Sequence, residues 1–262
     1  MGKYKIAFFD IDGTLVSNNT DRSLPILERI PDSAKLAIKK LKENNVMPII
    51  STGRGVAIIG EIMNGLEFAG CVASNGSIIQ YQGEEIFAAP LHPAKIEEVI
   101  SVIEQDPEII WCYDSAIGRV VVAHKNIKIS RYQQNLPVAQ RNDYLKYPVY
   151  QIDIWSPLGL RNYPIPVADV QIKVVAPETI NIFSANVSKG TAIEFLLAKL
   201  GIEKSEALAF GDEENDFEMF DAVGMPVAMG NAIPKLQAKA SFVTDDVDND
   251  GIFNACKQLG IF

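Results

Sequence analysis

Short continuous apolar runs alternate with helix-period stretches over the first 80 residues of the chain. Ile6–Phe9, 46–50 and 70–74 read as strands buried on both faces, the texture of a parallel sheet. Between the first two, Pro31-Asp32-Ser33 opens a helix with Ala34, Ile38 and Leu41 at helical spacing, and Asn44-Asn45 closes it. A second helix is expected over 55–64. Residues 77–81 and 85–88 flank Gln82-Gly83-Glu84 as a hairpin.

Beyond residue 80 the texture changes. An amphipathic helix is predicted over 93–105, with Ile96, Val99, Val102 and Ile103 on one side. Strands follow at 109–113, 119–123, 150–155, 171–175 and 179–184, so closely spaced that the pattern is antiparallel or mixed. Residues 157–168 carry Pro157, Pro164 and Pro166 and read as loop with no assigned place. After Val187 the parallel signature returns. Ser188-Lys189-Gly190 precedes a helix over 191–200, and strands at 207–210, 226–229 and 242–244 alternate with helices at 216–222, at 233–240 and at the end of the chain. The expectation is an α/β chain in which a parallel-sheet domain, residues 1–80 and 187–262, is interrupted by an inserted mixed α/β domain over 81–186. No repeat or low-complexity tract is present.

Composition changes this picture little. With 262 residues, 48% hydrophobic and 22% charged, the chain has ample material for a core. A formal net charge of -9 argues against a nucleic-acid partner, because little would neutralise a phosphate backbone. Cys71, Cys112 and Cys256 lie far apart among apolar neighbours, as buried thiols of a reducing compartment do. No apolar run reaches membrane length and the first one leads straight into acidic residues, so no membrane partner is expected and the expected location is cytoplasmic. Two histidines, His92 and His124, leave no multi-histidine zinc site. Nothing indicates an oligomeric state.

Candidate chemistry sits where predicted strands end. Asp10 and Asp12 follow the first strand, at the edge where open α/β sheets bind ligands. Carboxylates this close repel unless a cation or proton lies between them, and all-oxygen ligands suit Mg2+. An Asp-x-Asp-Gly turn with no ligand is the alternative. A calcium loop is rejected, since its twelfth position, Asp21, is not the required Glu. The second strand ends in Ser51-Thr52-Gly53-Arg54, whose hydroxyl, backbone N–H and guanidinium can hold a phosphate, or whose Thr can simply cap a helix. Lys189 begins a helix, and Gly211–Asp216 follows the strand at 207–210. Asp10, Asp12 and Asp212 can share one Mg2+ while Thr52 and Lys189 hold the far side of a phosphoryl group.

Taken together, DIDGT (10–14), STGR (51–54), SNG (74–76), SKG (188–190), GDEEND (211–216) and MGNA (229–232) resemble, in order, the motifs of the haloacid dehalogenase superfamily, and within it the Cof-type phosphatases with a large C2-type cap. The resemblance implies a Rossmann-like parallel-sheet core with an inserted α+β cap that sets specificity, and a Mg2+-dependent hydrolysis of small phosphate monoesters such as sugar phosphates or nucleotide-like cofactors. It implies that Asp10 is the nucleophile forming an aspartyl-phosphate, and that Asp12 is the general acid and base, with its backbone carbonyl on Mg2+. Asp10 and Asp212 would be the carboxylate ligands, with Asp216 ordering a metal-bound water or Lys189. Lys189 and Thr52 would orient the transferring oxygens, and Asn215 would contact the phosphate. Gly53, Arg54 and Asn75 would lie near the opening. Arg119 and Lys173 are candidates for leaving-group contacts, whereas Trp111, Tyr113 and Trp155 read as cap core. A phosphomutase on the same core would return the phosphoryl group to substrate. A phospho-accepting receiver module also uses acids, a Thr and a Lys, but at about half this length.

Overall fold

The computed structural model describes residues 2–115, 118–122, 137–156, 158–160 and 163–262. His124, Ala123 and Pro157 lie outside them. The chain opens with β1 (Ile6–Phe9), α1 (Asp32–Glu43), β2 (Met47–Ser51), α2 (Val56–Gly65), β3 (Gly70–Ala73), β4 (Ile78–Tyr81) and β5 (Glu84–Ala88). It continues through α3 (Pro93–Ile103), β6 (Ile110–Ser115), β7 (Gly118–Val122), β8 (Val138–Ala139), β9 (Val149–Trp155), β10 (Val170–Ala176) and β11 (Thr179–Ser184). It closes with α4 (Lys189–Leu200), β12 (Ala207–Gly211), α5 (Phe217–Ala222), β13 (Met225–Ala228), α6 (Pro234–Lys239), β14 (Phe242–Val243) and α7 (Gly251–Gln258).

Two sheets result. The first has eight strands in the order β14-β13-β12-β1-β2-β3-β4-β5, parallel from β14 to β3 and antiparallel across β3-β4-β5. The hairpin β4–β5 is its edge, so the chain leaves this sheet at Ala88, eight residues beyond the change of texture seen in the sequence. An antiparallel hairpin on a parallel sheet carries the alternation of a separate unit, which is why the pattern shifts before the chain departs. The second sheet runs β10-β11-β9-β6-β7-β8 and is mostly antiparallel, with the short β8 parallel to β7.

Each sheet has its own core. In the first, Ile6, Ala7, Phe8 and Phe9 are fully buried, as a strand covered on both faces must be. α1 turns Ala34, Ala37, Ile38 and Leu41 inward and stops at Asn44, followed by Asn45 at φ 59. In the second, Ile96, Val99, Ile100 and Ile103 of α3 pack on Trp111, Tyr113, Ile152, Ile154, Ile180 and Ile182. Leu160 and Ile165 join that cluster, so the described residues of the proline-rich connection, which had no assigned place, form loop tied down by these apolar side chains.

Where β1 sits decides where the site is. β2 and β3 lie on one side of it, β12 and β13 on the other, so the winding direction reverses there and a crevice opens outside the strands' carboxyl ends. The parallel register sets Phe9 opposite Phe210, their rings stacked at 4.9 Å and 3°. Such a pair contributes about 0.5–1.5 kcal/mol beyond its buried area, and here it also locks two strands at the step before each delivers its carboxylates. Asp10 N donates to Phe210 O at 3.0 Å.

Candidate active site

Four segments meet at this edge. Asp10 leaves β1, Thr52 follows β2, Asp212 follows β12, and Lys189 opens α4. Carboxylate oxygens of Asp10, Asp212 and Asp216 lie within 4.8 Å of one another, and all three residues are buried. Lys189, 1% exposed, donates to Asp10 Oδ1 at 2.6 Å and to Asp216 Oδ1 at 2.7 Å. A cation in the first turn of a helix opposes the helix dipole, and two buried carboxylates are what hold it there. Ser188 ties off the start of α4 reciprocally with Thr191: its Oγ accepts from Thr191 N at 3.1 Å while its N donates to Thr191 Oγ1 at 2.8 Å.

The other carboxylate oxygen of Asp216 accepts from the backbone N–H of Asp212 at 2.9 Å and of Glu213 at 3.2 Å, folding the Gly211–Asp216 turn. Thr14 Oγ1 donates to Asp212 Oδ1 at 2.8 Å, and Asn231 Nδ2 donates to Gly13 O at 2.8 Å. Gly13 has φ +83, and a Cβ there would fall on the Asp212 carboxylate, so only glycine leaves Asp212 its position.

Electrostatics mark the site as short of positive charge. Burial pushes the Asp10 carboxyl up to about 7; Lys189 opposes this, and Asp216 and Asp12 add to it. Asp212 is pushed up to about 9 by burial, then by Asp10 and Asp216. Burial disfavours the Lys189 ammonium, but Asp10 and Asp216 outweigh it and raise its pKa. Asp12 behaves differently. Burial would raise it, yet Arg54 more than offsets this and lowers it, gripping both its oxygens at 2.6 and 2.8 Å.

Not all the residues singled out from sequence fall in one place. Asp10, Asp212, Asp216 and Lys189 form a single cluster. The side chain of Asp12 stands outside it, turned to Arg54. Arg54 thus contacts the Asp12 carboxylate and keeps its own side chain partly exposed. Thr52 is 1% exposed, its Oγ1 accepting from Arg54 N at 3.2 Å. Asn75 is buried against the second sheet, donating to Gln151 Oε1 at 2.8 Å and Asn181 Oδ1 at 3.2 Å. Gly53 O accepts from Gln151 Nε2 at 3.0 Å. Asn215 is half-buried in the turn before Asp216. Lys173 ties the second sheet to α5 through Glu218 at 3.0 Å, and Arg119 pairs with Asp153 at 2.5 Å. Burial pushes Cys71 and Cys256 up to about 12 and Cys112 to about 11, which removes thiolate chemistry.

Sequence reasoning missed Thr14 and Asn231 as supports, and missed Asp114, Gln151, Asp153 and Asn181 on the second sheet altogether. A signal for the last four exists. They are the polar members of strands whose alternate residues are Tyr113, Ile152, Ile154, Ile180 and Ile182, so they share the face turned away from that core.

A family model described as haloacid dehalogenase-like hydrolase matches residues 7–156 and 161–256. The chain belongs to that family, and it is an enzyme of the phosphatase type. It is 25% identical over 259 residues to the phosphoglycolate phosphatase of Staphylothermus marinus, covering 97% of both chains. It is also 25% identical over 248 residues to the HMP-PP phosphatase of Serratia proteamaculans, covering 90% of this chain and 87% of the other. A hypothetical protein of Geobacillus kaustophilus HTA426, solved by crystallography, superposes with a TM-score of 0.82 at 28% identity, covering 99% of this chain and 100% of that one. Among the described residues no helix is long and apolar enough to cross a membrane.

Proposed function

We propose that this enzyme is a Mg2+-dependent phosphatase that hydrolyses small-molecule phosphate monoesters through an aspartyl-phosphate on Asp10. The observation that carries the reading is the convergence of Asp10, Asp212, Asp216 and Lys189 at the switch point of the first sheet. The donors suit the metal: they are carboxylates, hard oxygen ligands, and burial has raised two of them as though a cation were owed. Asp10, Asp212 and the main-chain carbonyl of Asp12 would hold Mg2+, with Asp216 fixing Lys189 and the turn. Bound there, Mg2+ supplies charge neutralisation to the phosphoryl oxygens and lets an anionic ester approach a carboxylate.

The residues divide the work. A carboxylate oxygen of Asp10 attacks phosphorus as the bond to the leaving-group oxygen breaks, and Asp12, once it has left the Arg54 fork and taken up a proton from solvent, gives that oxygen the proton. Asp12, now ionised, takes a proton from water as the water oxygen attacks phosphorus, freeing phosphate and restoring Asp10. Lys189 and Thr52 orient the non-bridging oxygens, where fixed charges contribute most in a dry site. Gly53, Arg54, Asn75 and Asn215 frame the phosphoryl end. The second sheet acts as the cap, covering residues 52–55 and excluding water. Relatives named for phosphoglycolate and for HMP-PP support a small phosphorylated metabolite as substrate. The test is phosphate release over a panel of phosphorylated metabolites with and without Mg2+, with Asp10→Asn as control. Metal-dependent release abolished in the variant is expected; release that survives it refutes the reading.

A further inference from the structure

Lys189 reaches its two carboxylates from the first turn of α4, and that turn is gripped from both sides. On one side lies the turn after β3, where Ser74, Asn75 and Gly76 stand in succession at φ 48, 55 and 99. Residues with a side chain seldom enter this left-handed region. Main-chain bonds hold them there: Ser74 N donates to Arg54 O at 2.9 Å, and Asn75 N to Thr52 O at 3.1 Å. Gly76 comes so close to α4 that a Cβ on it would fall on the main-chain oxygen of Ser188. On the other side lies α5, and a Cβ on Gly190 would fall on the main-chain oxygen of Glu218. The turn that carries Lys189 is thus wedged, backbone to backbone, between two segments. Packing this close passes a shift of either segment to the turn.

Both segments, and the chain that leads into α4, are bonded to the second sheet. Asn75 Nδ2 donates to Gln151 of β9 and to Asn181 of β11. Lys173 Nζ of β10 donates to Glu218 Oε1 at 3.0 Å. Gln171 Nε2, two residues earlier on the same strand, donates to Val187 O at 2.6 Å and to Ala185 O at 3.2 Å. A spacing of two puts Gln171 and Lys173 on one face of β10, while Ile172 between them is paired with Ile182 on the other. Taken alone, a half-exposed pair such as Lys173–Glu218 contributes little to stability. Its place is what counts: it ends on the residue whose main chain backs Gly190, as Asn75 adjoins the residue that backs Ser188.

We propose that Asn75, Gln171 and Lys173 are positioning residues that make the place of Lys189 depend on the docking of the second sheet. With the sheet docked, the ammonium stands between Asp10 and Asp216; with a tie cut, the first turn of α4 loosens and the ammonium leaves that place. The three act through the main chain of residues 187–190 and not on phosphorus. What Lys189 does to the phosphoryl group is taken from the phosphatase reading, on which this rests; what holds Lys189 in register goes beyond it. A misplacement of about 1 Å can cost about 10²-fold in rate, so a loosened turn is enough to slow the reaction.

Two variants each cut one tie. Asn75→Gly removes the amide and keeps the left-handed turn, which glycine adopts freely. Lys173→Met removes the ammonium and keeps most of the stem. Hydrogen exchange is followed at Thr191 and Ala192, whose amides donate to Ser188 Oγ and Ser188 O, and at residues 197–200 of the same helix. In both variants, with circular dichroism confirming the fold, exchange at the first pair is expected to quicken by about tenfold, the worth of the bonds removed, with residues 197–200 unmoved. With p-nitrophenyl phosphate and saturating Mg2+, kcat should fall by about tenfold or more while KM changes little, as for an interaction realised in the transition state. Lys173→Arg, which keeps a cation opposite Glu218, should restore both. A purely structural tie would lower the urea midpoint and leave kcat and local exchange as they are. Unaltered exchange at Thr191 and Ala192, or unaltered kcat, in either folded variant overturns the proposal. Should Asn75→Gly not fold, Lys173→Met decides alone. No turnover by the unsubstituted enzyme would refute the phosphatase reading and leave exchange alone to decide the clamp.

Discussion

Arg54 holds Asp12 in a two-point grip, Nη2 to Oδ1 at 2.6 Å and Nε to Oδ2 at 2.8 Å, across 42 residues of sequence. The guanidinium fork fixes the direction of the carboxyl at two points, which the single ammonium of a lysine cannot do. Arg54→Lys is therefore expected to lower kcat with alkyl phosphates by about 10- to 100-fold, a part of the roughly 10²–10⁴-fold that a positioned general acid contributes. With p-nitrophenyl phosphate, whose leaving group needs no proton, the loss should be much smaller. Steady-state kinetics on the two substrate types checks this; equal losses would mean that Arg54 does not act through Asp12.

Thr14 supports Asp212 from the side, through the 2.8 Å bond of its hydroxyl. Thr14→Val keeps the shape and deletes the donor. Removing a support of this kind typically costs about 10–100-fold in metal affinity or activity. The concentration of Mg2+ giving half-maximal rate should rise accordingly, while the rate at saturating Mg2+ falls much less.

Metal and pH should trade against each other. Without metal, Asp10 and Asp212 are raised to about 7 and about 9, so above the usual carboxylate range the folded protein holds protons that the unfolded chain has released. Stability then falls as pH rises through that window and levels off beyond the higher value. A divalent ion favours the ionised carboxylates and reverses the penalty. Thermal melts should show Tm dropping between weakly acid and alkaline pH in chelator, with the gain from Mg2+ growing toward high pH. A gain that shrinks with rising pH would contradict the assignment.

Lys189 neutralises two carboxylates in a place where none is exposed beyond a few per cent. Lys189→Met leaves both without their cation. Breaking a buried pair in this way costs about 3–5 kcal/mol, and the cost should shrink toward acid pH as the carboxyls take up protons. Urea midpoints across pH measure it.

The first sheet was legible because its strands are covered on both faces, so Ile6–Phe9 and its parallel partners are unbroken apolar runs with their polar residues collected at the ends. The same arrangement exposed Asp10, Thr52, Lys189 and Asp212, since residues that must meet outside the carboxyl ends of neighbouring strands stand next to those runs in sequence. The direction of a side chain was not legible. Nothing in the spacing of Asp10 and Asp12 says that one joins the carboxylate cluster and the other turns to Arg54. The second sheet hid its chemistry for a different reason. Asp114, Gln151, Asp153 and Asn181 alternate with core residues as solvent-facing residues do, and the docking of that face on residues 52–55 is what buries them. The hairpin β4–β5 misled for the same reason, because alternation records how many faces are covered and not which sheet a strand joins.

The central claim is that phosphorus is handed to Asp10. Rapid acid quenching of the enzyme during turnover of a radiolabelled phosphate ester, followed by peptide mapping, tests it most directly. Label that is released by hydroxylamine and sits on the peptide containing residues 6–14, and that is missing in Asp10→Asn, is the predicted result. Turnover without labelled protein, or with the label on another residue, would contradict it.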